Sequence, residues 1–296
     1  MKILVAGASG MIGSSVAPYL ASQGHEMYRL VRAGQNPSPT SGVAWKGSVS
    51  WKPDAGSIDV AGLEGFDGVV HVASMRWPAR WTSSAKDQIR ANHVGTIRLL
   101  ASAAAGCRER PKVLICASGM GIYPDSGDRV ISEESPLGDD FLSRLQQDGE
   151  AAGEPAAAAG IRVIHLRLPG VLGGEALRRK PSVLGSGRQW SSWVALRELG
   201  SLIQFILENP EVAGPVNTCS PNPVTGREFA ELVSRAQGTR PGVPMPAFLL
   251  RLIAGEMADA LILASRRMLP CKLLSAGYSF RFPELEAAAR YELGSR

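Results

Sequence analysis

Short apolar runs and amphipathic stretches alternate through the first two thirds of the chain. Residues 3–6 (I-L-V-A) form a short, partly β-branched run that breaks into three glycines, Gly7, Gly10 and Gly13. A buried parallel strand has this character, and the segment after it, with Met11, Ile12, Val16 and Leu20 on one face, reads as a helix starting near Gly10 and ended by Gly24. Residues 26–31 read as a second strand, 68–72 (G-V-V-H-V) as a third, and 83–105 as a long helix. Then come a strand at 112–116 (K-V-L-I-C), a largely helical stretch at 141–159 that Pro155 interrupts, a strand at 162–166 and a helix at 197–207. Such alternation predicts an α/β fold, a parallel sheet wound on both sides by helices. The stretch 33–53 is rich in Gly, Ser and Pro and reads as loop with little regular structure. Prolines 221, 223, 241, 244 and 246 punctuate the last third. The expected division is a nucleotide-binding domain over 1–172 and a smaller, mostly helical lobe over 173–296 packed on it, both contributing to the sheet.

Composition adds bounds. The 296 residues are 45% hydrophobic and 20% charged, an ordinary globular balance with ample core. The net charge of +5 is mild, and the densest basic clusters, Arg178-Arg179-Lys180 and Arg266-Arg267, are too short for a nucleic-acid footprint. Cys107, Cys116, Cys219 and Cys271 lie far apart with no C-x-x-C and no histidine at ligand spacing. Neither a metal nor a disulfide framework is expected, which fits a reducing cytoplasm. The first apolar run is cut by glycine after four residues and reads as a strand, not a signal peptide. No stretch reaches the roughly 18 apolar residues of a membrane span, so a soluble protein, a monomer or homodimer, is expected.

The glycines carry the first chemistry. Gly7 allows a tight turn, Gly10 lets the backbone approach a pyrophosphate, and Gly13 lets the helix pack against the strand. The helix start, with Ser9, Met11 and Ile12, offers free N–H groups and a positive dipole end to phosphates. This is the dinucleotide fingerprint of a Rossmann-type sheet. An NAD-binding chain would place Asp or Glu at the end of the second strand, to accept from the ribose 2′-hydroxyl. Here Arg32 stands there, with no carboxylate before Asp54. A guanidinium suits a 2′-phosphate, so the cofactor expected is NADP(H). In a doubly wound sheet the ligand lies beyond the carboxyl ends of the strands, which brings Gly7 to Ile12, Arg32, Ala73 and Ser74, Ala117 and Ser118, and Pro169 to Val171 into one site.

Several of these segments together resemble the extended short-chain dehydrogenase/reductase superfamily: G-A-S-G-M-I-G, H-V-A-S, N-H-V-G-T-I-R-L-L from Asn92, and L-R-L-P-G-V-L-G from Leu166. The resemblance implies that Asn92 belongs to an active-site hydrogen-bond chain and that the last motif packs against the nicotinamide. More narrowly, R-W-T at Arg80, D-S-G-D-R-V-I-S-E-E-S-P-L-G-D-D-F-L at Asp125, G-S-G-R-Q-W-S-S-W at Gly185 and the motifs from Gly214 to Pro283 look like the "epimerase family" of sugar-nucleotide epimerase-like proteins, NADPH binders mostly without a defined substrate.

The chain departs from the superfamily's pattern in its chemistry. The superfamily's Tyr-x-x-x-Lys falls at Leu142 and Gln146, and neither can exchange the proton or hold the ribose. Ser118 remains after its strand, and Tyr123 is the nearest phenol in sequence, so Ser118, Tyr123 and Asn92 are the catalytic candidates. The segment 175–184 is shorter than in relatives, and the family's I-H-x-D-D is replaced by Val194 to Glu198. The loop Met75 to Thr82 is apolar and aromatic. These changes point to a pocket less polar than a sugar nucleotide needs, lined by Met75, Trp77, Trp81, Trp190 and Trp193, with Arg188 and Gln189 as polar groups. The expected activity is an NADP(H)-dependent oxidoreductase or epimerase-like reaction on a small carbonyl or hydroxyl compound; the alternative is a non-catalytic NADPH-binding regulator.

Overall fold

The computed structural model describes all residues except 36–39, 76, 79, 175 and 295–296. The chain opens with β1 (Lys2–Ala6) and turns through the glycines into α1 (Gly13–Ser22), followed by β2 (Glu26–Arg32), β3 (Gly47–Lys52), β4 (Ser57–Ile58) and β5 (Gly68–His71). A 24-residue helix, α2 (Ser83–Gly106), crosses to β6 (Val113–Gly119). Next come β7 (Val130–Ile131), α3 (Phe141–Ala151), α4 (Glu154–Ala158), β8 (Arg162–Leu168), β9 (Gly170–Leu172), β10 (Trp190–Ser191) and β11 (Trp193–Ala195). The last third holds α5 (Glu198–Glu208), β12 (Gly214–Asn217), β13 (Val224–Thr225), α6 (Gly226–Ala236), α7 (Ala247–Ala254), β14 (Arg267–Met268), α8 (Cys271–Ser275) and α9 (Leu285–Gly294).

Eight strands form the central sheet in the order β12-β8-β6-β5-β1-β2-β3-β4, parallel except for the β3–β4 pair at one edge. The strand order reverses at β1, between β2 and β5, so a crevice opens there at the carboxyl ends of the strands. Val16 and Leu20 of α1 pack with Leu199 and Ile203 of α5 on one face. Leu100 and Ala104 of α2 pack with Ala152 and Ala156 on the other. Trp193, Val233, Leu285 and Ala289 form a third cluster in the C-terminal part. Because β12 lies within 173–296 and pairs with β8, that part completes the sheet as well as packing on it.

The expectation of irregular structure over 33–53 is corrected at its far end, where β3 pairs in parallel with β2. Val49 and Trp51 are buried while Ser48 and Ser50 face out, a period-two pattern that decides the strand despite the surrounding Gly and Ser. Pro155 does break the helical stretch 141–159, standing in the first turn of α4, where its missing N–H costs nothing. Among the described residues no helix is long and apolar enough to cross a membrane.

Candidate functional site

Gly7 takes φ +86°, and a Cβ on it would lie 2.6 Å from Ala73 N, so the turn after β1 is pressed against the end of β5. A Cβ on Gly13 would run into Gly7 O and lie 2.8 Å from Ala8 Cα, so α1 closes against the turn only as glycine. Ser14 N donates to Gly10 O at 2.9 Å, and α1 starts with no side-chain cap, leaving its first turn available to an anion. The crevice above is lined by Gly7, Ser9, Gly10, Met11, Ile12, Ala73 and Ser74, joined by Asn92 and Thr96 of α2. It continues past Trp51 to Arg32, Gln35 and Thr40.

Arg32 Nη1 lies 2.9 Å from Asp54 Oδ2, with the two side chains 40% and 82% exposed. A solvent-exposed pair of this kind holds at most about 1 kcal/mol, so the guanidinium can exchange Asp54 for a phosphate at little cost. Sequence reasoning missed Trp51, Gln35 and Thr40; the alternating S-V-S-W pattern held the signal for Trp51, and none marked the other two.

At the end of β6 the side chains join in a buried polar network. Ser118 Oγ donates to Glu150 Oε1 at 2.9 Å. Glu150 accepts from Arg167 Nε at 2.9 Å and Nη2 at 2.8 Å, a bidentate pair with 14% and 4% exposure. Arg167 Nη1 then donates to the Tyr123 hydroxyl at 2.7 Å, and that hydroxyl donates to Asn217 Oδ1 at 2.8 Å. Asn217 N donates to Glu133 Oε1 at 3.1 Å. Tyr123 is fully buried, and burial pushes its phenol up to about 12, against the pull of Arg167. As a candidate proton donor it is therefore corrected: its hydroxyl is saturated inside the protein, behind Arg167. Leu142 packs with Trp81, Ile89 and Leu145 in the core, and Gln146 Oε1 lies 3.4 Å from Ser118 Oγ.

Beyond β6 and β9 a second cavity of about 640 Å³ opens, lined by Met120, Val171, Leu172, Leu177, Leu184, Gln189, Trp190, Phe229, Met245, Leu261 and Ile262. It abuts the crevice: Gly173 and Gly174 follow β9, and a Cβ on Gly174 would lie 3.5 Å from Met11 Sδ. Val171 lines this second cavity just before that junction, with Pro169 buried between β8 and β9, and Ala117 half-buried on β6. Of the residues expected on the substrate side, Gln189 and Trp190 reach this cavity. Arg188 is exposed outside it, while Gln189 donates to Leu184 O at 2.9 Å.

The other aromatic expectations are corrected. Trp193 is 1% exposed, donates to Asn222 O at 2.9 Å and fills the C-terminal core. Met75, Trp77 and Trp81 join a separate cluster with Phe141 and Leu142, the two indoles meeting edge-on at 5.7 Å. That loop also includes positions 76 and 79, and the shortened segment begins at Glu175; all three lie outside the described residues. Among the described residues no group of three or more His, Cys, Asp or Glu is placed to hold a metal ion.

Residues 3–219 match the NAD dependent epimerase/dehydratase family, and residues 245–292 a domain of unknown function (DUF1731). An epimerase family protein of Mycobacterium leprae (strain TN) is 32% identical, over 98% of this chain and 94% of its own length. One from Bacillus subtilis (strain 168) is 30% identical over 100% and 99%. The crystal structure of human epimerase family protein SDR39U1 (isoform 2) with NADPH superimposes with a TM-score of 0.87 at 27% identity, covering 100% of both chains.

Proposed function

The chain belongs to the NAD dependent epimerase/dehydratase family, and on that premise we propose that it is an NADP(H)-dependent oxidoreductase or epimerase-like enzyme acting on a small carbonyl or hydroxyl compound. The observation that carries this reading is the meeting of two compartments where Gly173 and Gly174 adjoin Met11, a dinucleotide crevice and a second, largely apolar cavity. A protein that only senses the cofactor needs the first alone. The glycine turn and the uncapped start of α1 fit a pyrophosphate, Arg32 a 2′-phosphate, and Asn92 with Ser74 the groups beyond it. The human relative crystallised with NADPH supports the same cofactor. Bound there, the nicotinamide would supply or accept the hydride.

The chain's own part is the proton. Ser118 Oγ is the polar atom at the carboxyl end of β6, and its hydrogen bond to Glu150 fixes its direction. In oxidation Oγ accepts from the substrate hydroxyl while its own O–H still points at the Glu150 carboxylate, a path for the departing proton. In reduction the path runs in reverse: the Ser118 O–H gives its proton to the substrate oxygen as the hydride reaches the carbon, and a proton returning through the Glu150 carboxyl restores the hydroxyl. Arg167 clamps Glu150 from behind, the Tyr123 hydroxyl accepts from Arg167, and Asn217 accepts from Tyr123. Tyr123 thus acts as a positioning residue.

One set of observations favours the second reading, a non-catalytic NADPH-binding protein: Leu142 and Gln146 occupy the places of the usual phenol and ammonium, and the remaining phenol is sealed inside. One experiment separates the two. NADPH consumption is followed against a panel of carbonyl compounds for the natural protein and Ser118→Ala, with NADPH affinity measured alongside. The enzyme reading expects turnover that falls by about one to three decades in the variant at unchanged affinity. Tight NADPH binding with no consumption against the whole panel would establish the sensor instead.

A further inference from the structure

The cavity beside Val171 has a wall chemistry that selects among substrates. Its lining is largely apolar: Leu177, Leu184, Phe229, Met245, Leu261 and Ile262 line it together with Trp190. Its described charged residues are Arg179 and Lys180, both exposed and both cationic, and no carboxylate stands among the described lining residues. The wall bearing them is fixed by hydrogen bonds to its backbone carbonyls. Gln237 Nε2 donates to Leu177 O at 2.6 Å and to Arg179 O at 2.9 Å, Gly242 N to Pro181 O at 2.8 Å, and Met245 N to Val183 O at 2.9 Å. The two cations therefore sit on a tethered segment at the rim.

A sugar nucleotide fits this lining badly. Its hydroxyls and base edges need many partners once desolvated, and each one left unmade costs binding energy. Gln189, Ser182 and Ser191 are the neutral polar side chains offered, and the Gln189 amide is already bound to Leu184 O. An alkyl or ring body with one anionic end matches both parts: the body excludes water from the apolar lining, and the anion meets Arg179 and Lys180 at the mouth.

We propose that this cavity takes amphiphilic anions, compounds with an apolar body of medium-chain size and a single carboxylate-type head, the oxidisable or reducible carbon lying toward Val171 and Ser118. This rests on the oxidoreductase reading for its last clause only. The test is a binding measurement that needs no turnover. Isothermal titration of the NADPH-saturated protein with decanoate, 1-decanol and UDP-glucose should rank decanoate first. Reversing the rim, Arg179→Glu with Lys180→Glu, should weaken decanoate about tenfold or more and leave 1-decanol nearly unchanged. Leu261→Trp, which fills the cavity, should weaken both while NADPH affinity and the circular dichroism spectrum stay as they were. Ser118→Ala should bind decanoate normally, so a failed oxidoreductase reading and a failed ligand class give different results. UDP-glucose binding more tightly than decanoate would overturn the proposal. So would decanoate binding that neither the rim reversal nor Leu261→Trp alters, since the ligand would then sit elsewhere, as on the exposed apolar side chains Phe248 and Leu252 of α7.

Discussion

At the scale of single residues, cofactor choice turns on Arg32 and Asp54. Their pairing at 2.9 Å places a carboxylate beside the very atoms that would meet a 2′-phosphate. Arg32→Ala should cost NADPH about ten- to a hundredfold in affinity, the worth of a charge-assisted contact of about 1.5–3 kcal/mol, and leave NADH almost unaffected. Asp54→Asn should act in the opposite sense, tightening NADPH a few-fold by removing both a competitor and a repulsion. Fluorescence titration with both cofactors checks the pair, and equal affinity of the natural protein for NADPH and NADH would defeat the assignment. Gly13→Ala is a sterner test of the same crevice. The added methyl meets backbone at Gly7 and Ala8, which cannot yield as a flexible side chain would. NADPH binding should be lost and the melting temperature lowered; an unaltered affinity would show that the helix does not need to close there.

At the scale of elements, what the sequence made legible was whatever a contiguous stretch could display. The strand, glycines and helix start of 3–22 are one unbroken pattern, and Gly7, Ser9, Gly10, Met11 and Ile12 line the crevice from within it. The strand β3 was equally local, in S-V-S-W, but lay inside a composition typical of loops. The network of β6, α3, β8 and β12 had no local signature, since Ser118, Glu150, Arg167 and Asn217 are each ordinary where they stand and meet only in the folded sheet. The tryptophans show the same limit: Trp190 and Trp193 are three apart, yet one faces the cavity and the other the C-terminal core. The network makes a prediction of its own. Glu150→Ala leaves the Arg167 guanidinium, 4% exposed, without its carboxylate, which should cost about 3–5 kcal/mol of stability. Replacing both as a pair, Glu150→Leu with Arg167→Met, should cost clearly less than Glu150→Ala, because no uncompensated charge remains. Urea unfolding of the three proteins decides it, and equal losses would mean that the ion pair is not what holds these elements.

At the scale of the whole molecule, the crevice lies where the sheet reverses, so the strands that bear the cofactor site are also the centre of the fold. His71 ends β5 at that point. It is 2% exposed, stands edge-on to Trp51 with ring centroids 6.1 Å apart, and its ring nitrogens have no hydrogen-bond partner among the described residues. Burial holds its imidazolium form down, to a pKa of about 4 from an ordinary 6.5. The consequence for stability has a definite sign. Above pH 6.5 the ring is neutral in both the folded and the unfolded chain, and it contributes no pH dependence. Between 6.5 and about 4 the unfolded chain takes up a proton that the folded one refuses, so stability falls as the pH falls. The slope from this one group approaches about 1.4 kcal/mol per pH unit within that window and vanishes below it, where both states are protonated. Exchanging His71 for Phe keeps a ring against Trp51 and removes the proton site. Urea midpoints measured from pH 7.5 to 4.5 should therefore drop less steeply for His71→Phe than for the natural protein, with the two curves converging in slope above pH 7. Parallel curves across the whole range would show that His71 is protonated as readily inside the fold as outside it, and that the end of β5 is open to water.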